Sequence, residues 1–252
     1  MPNVLVEQKD RTTIVTLNRP ERRNALTIEL LTELTEVLQA TSADSAKRVL
    51  VLRGAGQAFC AGLDLQETTV VEKAHRSAEM VAKTLLAVSQ TRLITIAQIH
   101  GAAVAGGAGL MSACDFVVAA ERTKIGYPET KRGLVAGLVM TFLRRQLRER
   151  DIRELLFTGD LITVERAREI GLVNRVVPPN ELENETQKII DAVLQNAPDA
   201  LASTKRLIEE FWSSSVKEDV DRALQHHMEA RESAEAKEGI AAFLEKRPPS
   251  WS

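Results

Sequence analysis

The sequence predicts an α/β protein, with an α/β body spanning residues 1–180 and a purely helical region spanning residues 181–252. Short apolar runs alternate with helical patterns in the first part, and this alternation favours parallel strand pairing. Beyond Glu181 only amphipathic helical patterns occur. A chain of 252 residues that is 44% hydrophobic can also bury a sizeable core in one large domain, or in one domain with a smaller appendage.

The first elements are expected to be a hairpin, a helix and a buried strand. Apolar residues alternate on both sides of a polar turn at residues 9–12, as in two antiparallel strands. Arg19-Pro20 ends the second strand, and Thr27 is suited to cap a helix whose apolar residues recur at helical spacing. Residues 49–52 form a continuous apolar run, which is typical of a strand covered on both faces.

The rest of the body continues the alternation of strands and helices. A polar, helix-prone region from Gln66 to Gln90 precedes a second buried strand at residues 93–99, and Gly106 opens a helix that ends near Cys114. The later elements are expected as short strands at 116–118 and 124–126, helices at 137–157 and 163–170, and a last strand at 172–177.

Four amphipathic helices are expected in the C-terminal region, at residues 183–195, 199–212, 216–231 and 234–246. Their apolar stripes are too few for a large core of their own, so they are expected to pack on the body or at a subunit contact. His226 and His227 lie on a polar part of the third helix, and both are expected to be solvated.

Composition and missing motifs exclude several classes of protein. The net charge of −2 and the single tyrosine argue against a nucleic-acid partner. No membrane span or signal peptide is evident, and the two cysteines form no CxxC pair, so a reducing cytoplasm is the expected location. The sequence contains no dinucleotide-binding motif after a strand, no phosphate-binding P-loop and no HExxH motif, and it predicts neither a cofactor nor a metal site.

Two glycine-bearing turns each follow a predicted buried strand, at residues 58–65 and 100–109. A helix that begins near Gly106 leaves unpaired N–H groups at the positive end of its dipole, an arrangement that suits an anion. The alternative is that the glycines serve close packing of the helix on the strand. A carboxylate, Glu129, follows in a Tyr-Pro-Glu turn about twenty residues later, and this third element favours the binding site.

These turns belong to a longer set of motifs that resembles the crotonase family, also called the enoyl-CoA hydratase/isomerase family. Several spaced motifs in the family's order are far more specific than any one of them, and here they run almost from end to end. The matching segments are LNRP (17–20), NALT (24–27), GAG (54–56), AFCAGLDL (58–65), HG (100–101), GGAG (106–109), CD (114–115), PE (128–129), LFTG (156–159), ERA (165–167), GLV (171–173) and AFLEKRP (242–248).

The resemblance implies a crotonase-type spiral of ββα units, with C-terminal helices that mediate trimerisation and trimers that often stack in pairs. It also implies that residues 1–180 hold an acyl-CoA site. The backbone N–H groups of Leu63 and Gly106 would form an oxyanion hole for a thioester enolate. The resemblance further implies contacts with the CoA part of the substrate along Ala25, Ala61, Asp64 and Leu65.

One departure from the family pattern bears on the reaction. Hydratases of this family use two glutamates; Glu129 matches the second, but Gly109 occupies the position of the first. A single carboxylate suits an isomerase that moves a 3-enoyl double bond to the 2 position, with Glu129 collecting the proton and returning it. A partly dry pocket is expected to raise the pKa of Glu129 toward neutrality.

Other reactions remain open on the sequence. Glu67 or Glu72 would give a hydratase an unconventional second acid, and the same scaffold also suits thioester hydrolysis or decarboxylation. A non-catalytic acyl-CoA or RNA-binding module is disfavoured by the retained Glu129. Gly109 and Leu134 are expected to border an apolar acyl pocket, so a hydrophobic acyl group is favoured. The predicted partners are an acyl-CoA thioester and further copies of the chain, as a homotrimer or a dimer of trimers, with no nucleic acid and no membrane.

Overall fold

The computed structural model describes residues 2–67 and 71–250, and within these ranges two β-sheets are surrounded by helices. The strands are β1 (Val4–Lys9), β2 (Thr12–Leu17), β3 (Val49–Gly54), β4 (Ile94–Ile99), β5 (Ala102–Val104), β6 (Phe116–Ala120), β7 (Lys124–Gly126), β8 (Ile162–Thr163) and β9 (Arg175–Val177). The α-helices are α1 (Ile28–Ala43), α2 (Val71–Ser89), α3 (Gly106–Ser112), α4 (Gly137–Gln146), α5 (Glu149–Thr158), α6 (Val164–Glu169), α7 (Leu182–Leu194), α8 (Pro198–Glu210), α9 (Val216–Arg231) and α10 (Ala234–Glu245).

The larger sheet has six strands in the order β1-β2-β3-β4-β6-β9. The predicted N-terminal hairpin is confirmed, because β1 and β2 pair antiparallel with Val4 opposite Leu17. The other neighbours in this sheet are parallel, as the alternation of strands and helices indicated. The carboxyl ends of β3 and β4 therefore meet at one edge, and this brings the two glycine-bearing turns together.

Both faces of this sheet are covered, which explains the continuous apolar runs. In β3, Leu50 and Leu52 belong to the main core under α1 and α2. Val49 and Val51 point to the opposite face, where a smaller core includes residues of α7. Alternate residues of a strand point to opposite faces, so a strand buried on both faces reads as uniformly apolar.

A smaller sheet, in the order β5-β7-β8, lies beyond the ends of the main strands. β4 and β5 lead into α3, and β6 and β7 lead into α4, so the chain repeats a ββα unit that spans the two sheets. The sequence predicted β7 but not the short strands β5 and β8. Strand β5 has three residues and β8 has two, and neither segment shows a recognisable alternation of apolar and polar residues.

Local signals placed some element boundaries correctly and missed others. Thr27 caps α1 as expected, since its side chain accepts a hydrogen bond from the Leu30 N–H at 3.2 Å. The single helix expected at 137–157 is wrong, because Leu147 and Arg148 adopt extended backbone and separate α4 from α5. This break contains neither glycine nor proline. The burial of Leu147 favours the break between α4 and α5, and this burial depends on tertiary packing and not on the local sequence.

The last strand is also shorter than the sequence predicted. Strand β9 covers residues 175–177 only, because the N–H groups of Leu172 and Val173 donate to the Ala167 carbonyl at the end of α6. Both side chains are nevertheless buried, and this burial gave the apolar pattern that suggested a strand.

The C-terminal helices cover the body, and one of them reaches the candidate site. α7 packs on β4, β6 and β9, whereas α9 packs against α2 and α4. His226 is exposed as expected, but the prediction that His227 is solvated is wrong, because packing against α4 leaves only 6% of it exposed. No helix within the described ranges is long and apolar enough to cross a bilayer.

Candidate active site

The first glycine-bearing turn presents an unpaired backbone amide at Leu63. Gly62 O accepts a hydrogen bond from the Leu26 N–H at 2.8 Å, and the Asp64 N–H donates to Leu26 O at 2.9 Å. Successive N–H groups in an extended segment point to opposite sides, so the Leu63 N–H is directed away from Leu26. It donates to no other residue in the part of the chain that the structure describes.

The second turn lies directly beside the first. The Cys60 N–H donates to Ala102 O at 3.1 Å, and the Val104 N–H donates to Cys60 O at 3.0 Å. These bonds bring Gly62 so close to Gly106 that a Cβ atom on Gly62 would lie 3.5 Å from the Gly106 nitrogen. The Gly106 N–H, at the start of α3, also lacks an acceptor among the described residues. The two amides expected to form an oxyanion hole therefore lie close together.

Strained backbone at Ala105 sets the direction of the Gly106 amide. Ala105 has φ 49° and ψ −123°, a combination that costs a residue with a Cβ about 1–3 kcal/mol. Its N–H donates to Gly126 O in β7 at 2.8 Å, and this bond holds it in place. The sequence did not identify Ala105 as a functional residue, because an alanine between small residues gives no sign of strain.

Close packing explains a neighbouring glycine, Gly107, without any ligand. A Cβ atom on Gly107 would lie 2.5 Å from Cys60 O and 2.8 Å from Cys60 Sγ. The Cys60 thiol donates to Asn24 O at 3.1 Å, and burial raises its pKa to about 12. Cys60 therefore packs as a neutral thiol, and close packing accounts for the glycine at position 107.

A cavity of about 730 Å³, counting its open mouth, lies beside the two amides. Its wall is mostly apolar and comes from both turns, from α2 and α4, and from the C-terminal helices. It is lined by Ala61, Leu63, Leu65, Ala78, Val81, Val104, Ala105, Gly106, Glu129, Arg132, Leu134, Val135, Ala136, Leu138, Val139, His227 and Phe243. Of the residues expected to contact substrate through side chain or backbone, Ala61, Leu65 and Leu134 lie in this wall.

Glu129 is the carboxylate of this cavity wall. It follows β7, and its carbonyl accepts hydrogen bonds from the N–H groups of Arg132 at 2.9 Å and Leu134 at 3.0 Å. Only 9% of the residue is exposed, and its Oε2 is buried without a hydrogen-bond partner within residues 2–67 and 71–250. Burial raises the pKa of Glu129 to about 7, although a backbone hydrogen bond and the nearby charge of Arg132 oppose the shift. The carboxyl group is therefore able to gain or lose a proton near neutral pH.

Gly109 lies outside the cavity wall, on a side of α3 that is filled by a neighbouring helix. A Cβ atom on Gly109 would lie 2.8 Å from Cγ1 of Val139 in α4, and 3.7 Å from Leu85. The tight fit explains the glycine inside the helix. Val139 fills the space into which a side chain at this position would point.

We expect Gly109→Glu to lower the free energy of unfolding by about 1–3 kcal/mol, the usual cost of overpacking, and not to raise any hydration rate. Thermal unfolding and a hydration assay would measure both effects. Adding Val139→Ala to the same variant is expected to recover part of the stability. A single variant that is as stable as the parent and hydrates faster would contradict this interpretation.

Ala25 and Asp64, which were both expected to contact substrate, lie outside the cavity wall. Arg19 contacts both of them. The Arg19 guanidinium donates to Ala25 O at 2.6 Å and forms an ion pair with the Asp64 carboxylate at 3.3 Å. Glu67, which was considered as a second acid, accepts a hydrogen bond from the Ile28 N–H at 2.8 Å and so supports the start of α1. Neither Glu67 nor Glu72 lies in the cavity wall.

Three polar or aromatic side chains in the cavity wall were not identified from the sequence. They are Arg132, whose guanidinium stacks 4.4 Å from the centre of the Phe243 ring, Phe243 itself, and His227. Phe243 lies within a family motif, but no local pattern indicated that α9 and α10 reach the cavity. Among the described residues, no cluster of three or more His, Cys, Asp or Glu side chains is arranged to hold a metal ion.

Comparison with known proteins identifies relatives along the whole chain. The family model for enoyl-CoA hydratase/isomerase matches residues 7–252. An enoyl-CoA hydratase of Mycobacterium tuberculosis is 34% identical over 99% of this chain and 96% of its own length. A crotonyl-CoA hydratase of Syntrophomonas wolfei is 32% identical over 99% of this chain and 97% of its own length.

Solved structures share the fold. The crystal structure of an enoyl-CoA hydratase from Mycobacterium avium superposes with a TM-score of 0.86 and 32% identity, and the match covers 99% of each chain. The expected crotonase-type α/β architecture, with its repeated ββα units, is thereby confirmed.

Proposed function

Because this chain belongs to the enoyl-CoA hydratase/isomerase family, we propose that it adds water across the double bond of a 2-enoyl-CoA thioester. The observation that carries the proposal is the pair of amides at Leu63 and Gly106, which have no acceptor among the described residues and lie beside the buried Glu129 on one apolar cavity. The names of the relatives, which are hydratases, favour hydration over double-bond migration.

The two amides would stabilise the charge that appears when water attacks C3. Electrons of the C2–C3 double bond then move toward the thioester carbonyl, and its oxygen becomes an enolate oxygen. Fixed N–H groups aimed at that oxygen stabilise the charge without reorganisation, and one such donor contributes about 2.7–4 kcal/mol to the transition state. The short α3 adds the positive end of its dipole behind Gly106.

Glu129 would act as the acid that protonates C2 as the enolate collapses. Its raised pKa leaves a large fraction of the carboxyl group protonated near neutral pH, which this role requires. Arg132 lies close enough to oppose the shift, so it would stabilise the carboxylate that forms after the proton has left.

The isomerase reaction remains the second candidate, supported by the missing side chain at Gly109. With Val139 filling that space, Glu129 is the carboxylate in the cavity wall, and one carboxylate is sufficient to move a proton between C4 and C2. Thioester hydrolysis and decarboxylation are further alternative reactions on the same scaffold. Release of free CoA would identify hydrolysis.

A product assay distinguishes these reactions. We expect crotonyl-CoA to yield 3-hydroxybutyryl-CoA, with kcat/KM falling about tenfold per pH unit above pH 7, because Glu129 must be protonated to act as the acid. A 3-enoyl-CoA converted to its 2-enoyl isomer, with a rate that rises through pH 7 and no hydroxylated product, would instead establish Glu129 as a base in an isomerase.

The apolar wall also supports a hydrophobic acyl group. Leu134, Leu138 and Val139 line the cavity beyond Glu129, and the proposal needs no cofactor apart from the CoA of the substrate. Ala25, Ala61, Asp64 and Leu65 would follow the pantetheine and adenine parts, with Arg19 holding Ala25 and Asp64 in position.

We further propose that the chain forms trimers through its C-terminal region, singly or stacked in pairs. The end of α8 and the turn after it expose large apolar side chains, namely Leu207, Ile208, Phe211 and Trp212, and Phe211 is 85% exposed. Several large exposed apolar side chains in one short segment are typical of subunit contacts. Sedimentation equilibrium is expected to give three or six times the chain mass of 27.8 kDa. A monomer would contradict the proposal.

A further inference from the structure

His227 is a buried titratable side chain in the wall of the cavity. It comes from α9, a helix remote in sequence from both glycine-bearing turns, and only 6% of it is exposed. A histidine in an apolar wall needs an explanation, because burying an unpaired polar atom costs free energy.

The hydrogen bond made by the ring fixes its tautomer. Nδ1 lies 3.1 Å from the carbonyl oxygen of Val135, and since a carbonyl accepts but does not donate, Nδ1 carries the proton. In the neutral ring, Nε2 then has a free lone pair. This Nε2 is buried and has no hydrogen-bond partner in the part of the chain that the structure describes.

Burial and a neighbouring cation favour the neutral form of the ring. Burial lowers the pKa of His227, and the charge of Arg231, one turn further along α9, also lowers it, although the hydrogen bond to the Val135 carbonyl opposes the shift. Arg132 adds a second cation to the same wall, whereas Glu129 is the acidic group there. A neutral imidazole with a free nitrogen is able to accept a proton but not to donate one.

The loop that carries Glu129 also holds His227. Glu129 O is bonded to the Leu134 N–H, and the carbonyl of the next residue, Val135, receives the His227 Nδ1–H. The side chains of Glu129 and His227 thus line one cavity and are positioned by one loop, and each has one buried atom, Oε2 or Nε2, without a partner among the described residues. We infer that His227 is the second proton-transfer group of the site, acting as the base that deprotonates the attacking water.

This inference rests on the proposed hydratase function, and the proton balance is complete. The water oxygen forms a bond to C3 while one water proton moves to Nε2 of His227. The π electrons of the C2–C3 bond pass into the enolate, which then takes the proton of Glu129 at C2. Glu129 is left as a carboxylate and His227 as an imidazolium, and exchange with solvent restores both groups. In this way His227 from α9 would replace the first glutamate of the hydratases, whose position is occupied here by Gly109.

The test compares two reactions that share the oxyanion hole and Glu129 but differ in their need for water. We expect His227→Leu to lower kcat for hydration of crotonyl-CoA by 100-fold or more, the usual range for loss of a general base. Isomerisation of 3-hexenoyl-CoA, which adds no water, is expected to change less than threefold. His227→Gln keeps a hydrogen-bond donor for Val135 O but provides no base. We expect the same loss of hydration and the same retained isomerisation in this variant, which replaces His227→Leu in the test if the leucine variant folds poorly.

His226→Gln is the matched control, because His226 is the exposed neighbour of His227 and lies outside the cavity wall. It is expected to behave as the parent protein in both assays. Parent-like hydration in His227→Gln, or equal loss of both reactions in a folded His227→Gln, would overturn the role of His227. A parent protein that does not hydrate any 2-enoyl-CoA would instead refute the proposed function itself, so the two failures are distinguishable.

Discussion

Glu129→Gln is expected to lower kcat for the enolate-forming reaction by 10²–10⁴-fold, the range typical of a lost general acid or base. Glutamine has nearly the same shape and still forms hydrogen bonds, but it neither gives nor takes a proton near neutral pH. Binding of an acyl-CoA ester, measured by calorimetry, is expected to remain nearly unchanged. Turnover equal to that of the parent would remove Glu129 from the mechanism.

The same substitution is expected to change the pH dependence of stability. Burial raises the pKa of Glu129 from 4.5 to about 7, so the stability contributed by the protonated form is fully present below pH 4.5 and lost as the pH rises through 7. Across this window the parent should lose roughly 3 kcal/mol relative to Glu129→Gln. Thermal unfolding at pH 5 and pH 8 would measure the difference, and a gain in Tm at pH 8 would also establish that the inactive variant is folded.

Glu72→Gln is the control for this experiment, since Glu72 is an exposed carboxylate near the start of α2 and lies outside the cavity wall. It is expected to have parent-like activity and a parent-like pH profile. A large loss of hydration in this variant would restore Glu72 as the unconventional second acid and would weaken the role inferred for His227.

The second large effect is expected from Gly62→Ala, with a loss in kcat of about 10²–10³-fold, as for the loss of one oxyanion-hole donor. Gly62 has φ +92°, and a Cβ there would lie 2.9 Å from Val104 O and 3.0 Å from Ala105 Cβ. The methyl group would push the turn that carries Leu63 away from Gly106, so the two amides would no longer converge on one oxygen. Steady-state kinetics with crotonyl-CoA would measure the loss.

Gly171→Ala separates this effect from ordinary backbone strain. Gly171 has a similar φ of +89°, but among the described residues a Cβ there would meet only Gln146 O, at 3.9 Å. The control is expected to be destabilised by a comparable strain while keeping its kcat. Equal losses of activity in the two variants would mean that Gly62→Ala acts through stability and not through the oxyanion hole.

Some of the site could be predicted because it depends on short segments of chain. A tight turn needs small residues, a helix start leaves N–H groups unpaired, and a Pro-Glu turn follows a strand, so Gly106 and Glu129 were identifiable from their neighbours. The role of Leu63 was implied by the resemblance to the crotonase family. The structure brings all three to one cavity. The strands of the main sheet were predictable for a similar reason, because burial on both faces leaves a continuous apolar run.

The sequence by itself determined the family, the ββα architecture and the turns that carry the paired amides and the single glutamate. Only the tertiary structure decided that Val139 fills the space beside Gly109, that Arg19 pairs with Asp64, and that His227 enters the cavity wall. The reason is physical: local patterns fix backbone conformation over a few residues. Which side chains meet across a cavity depends instead on the packing of segments that lie far apart in the chain.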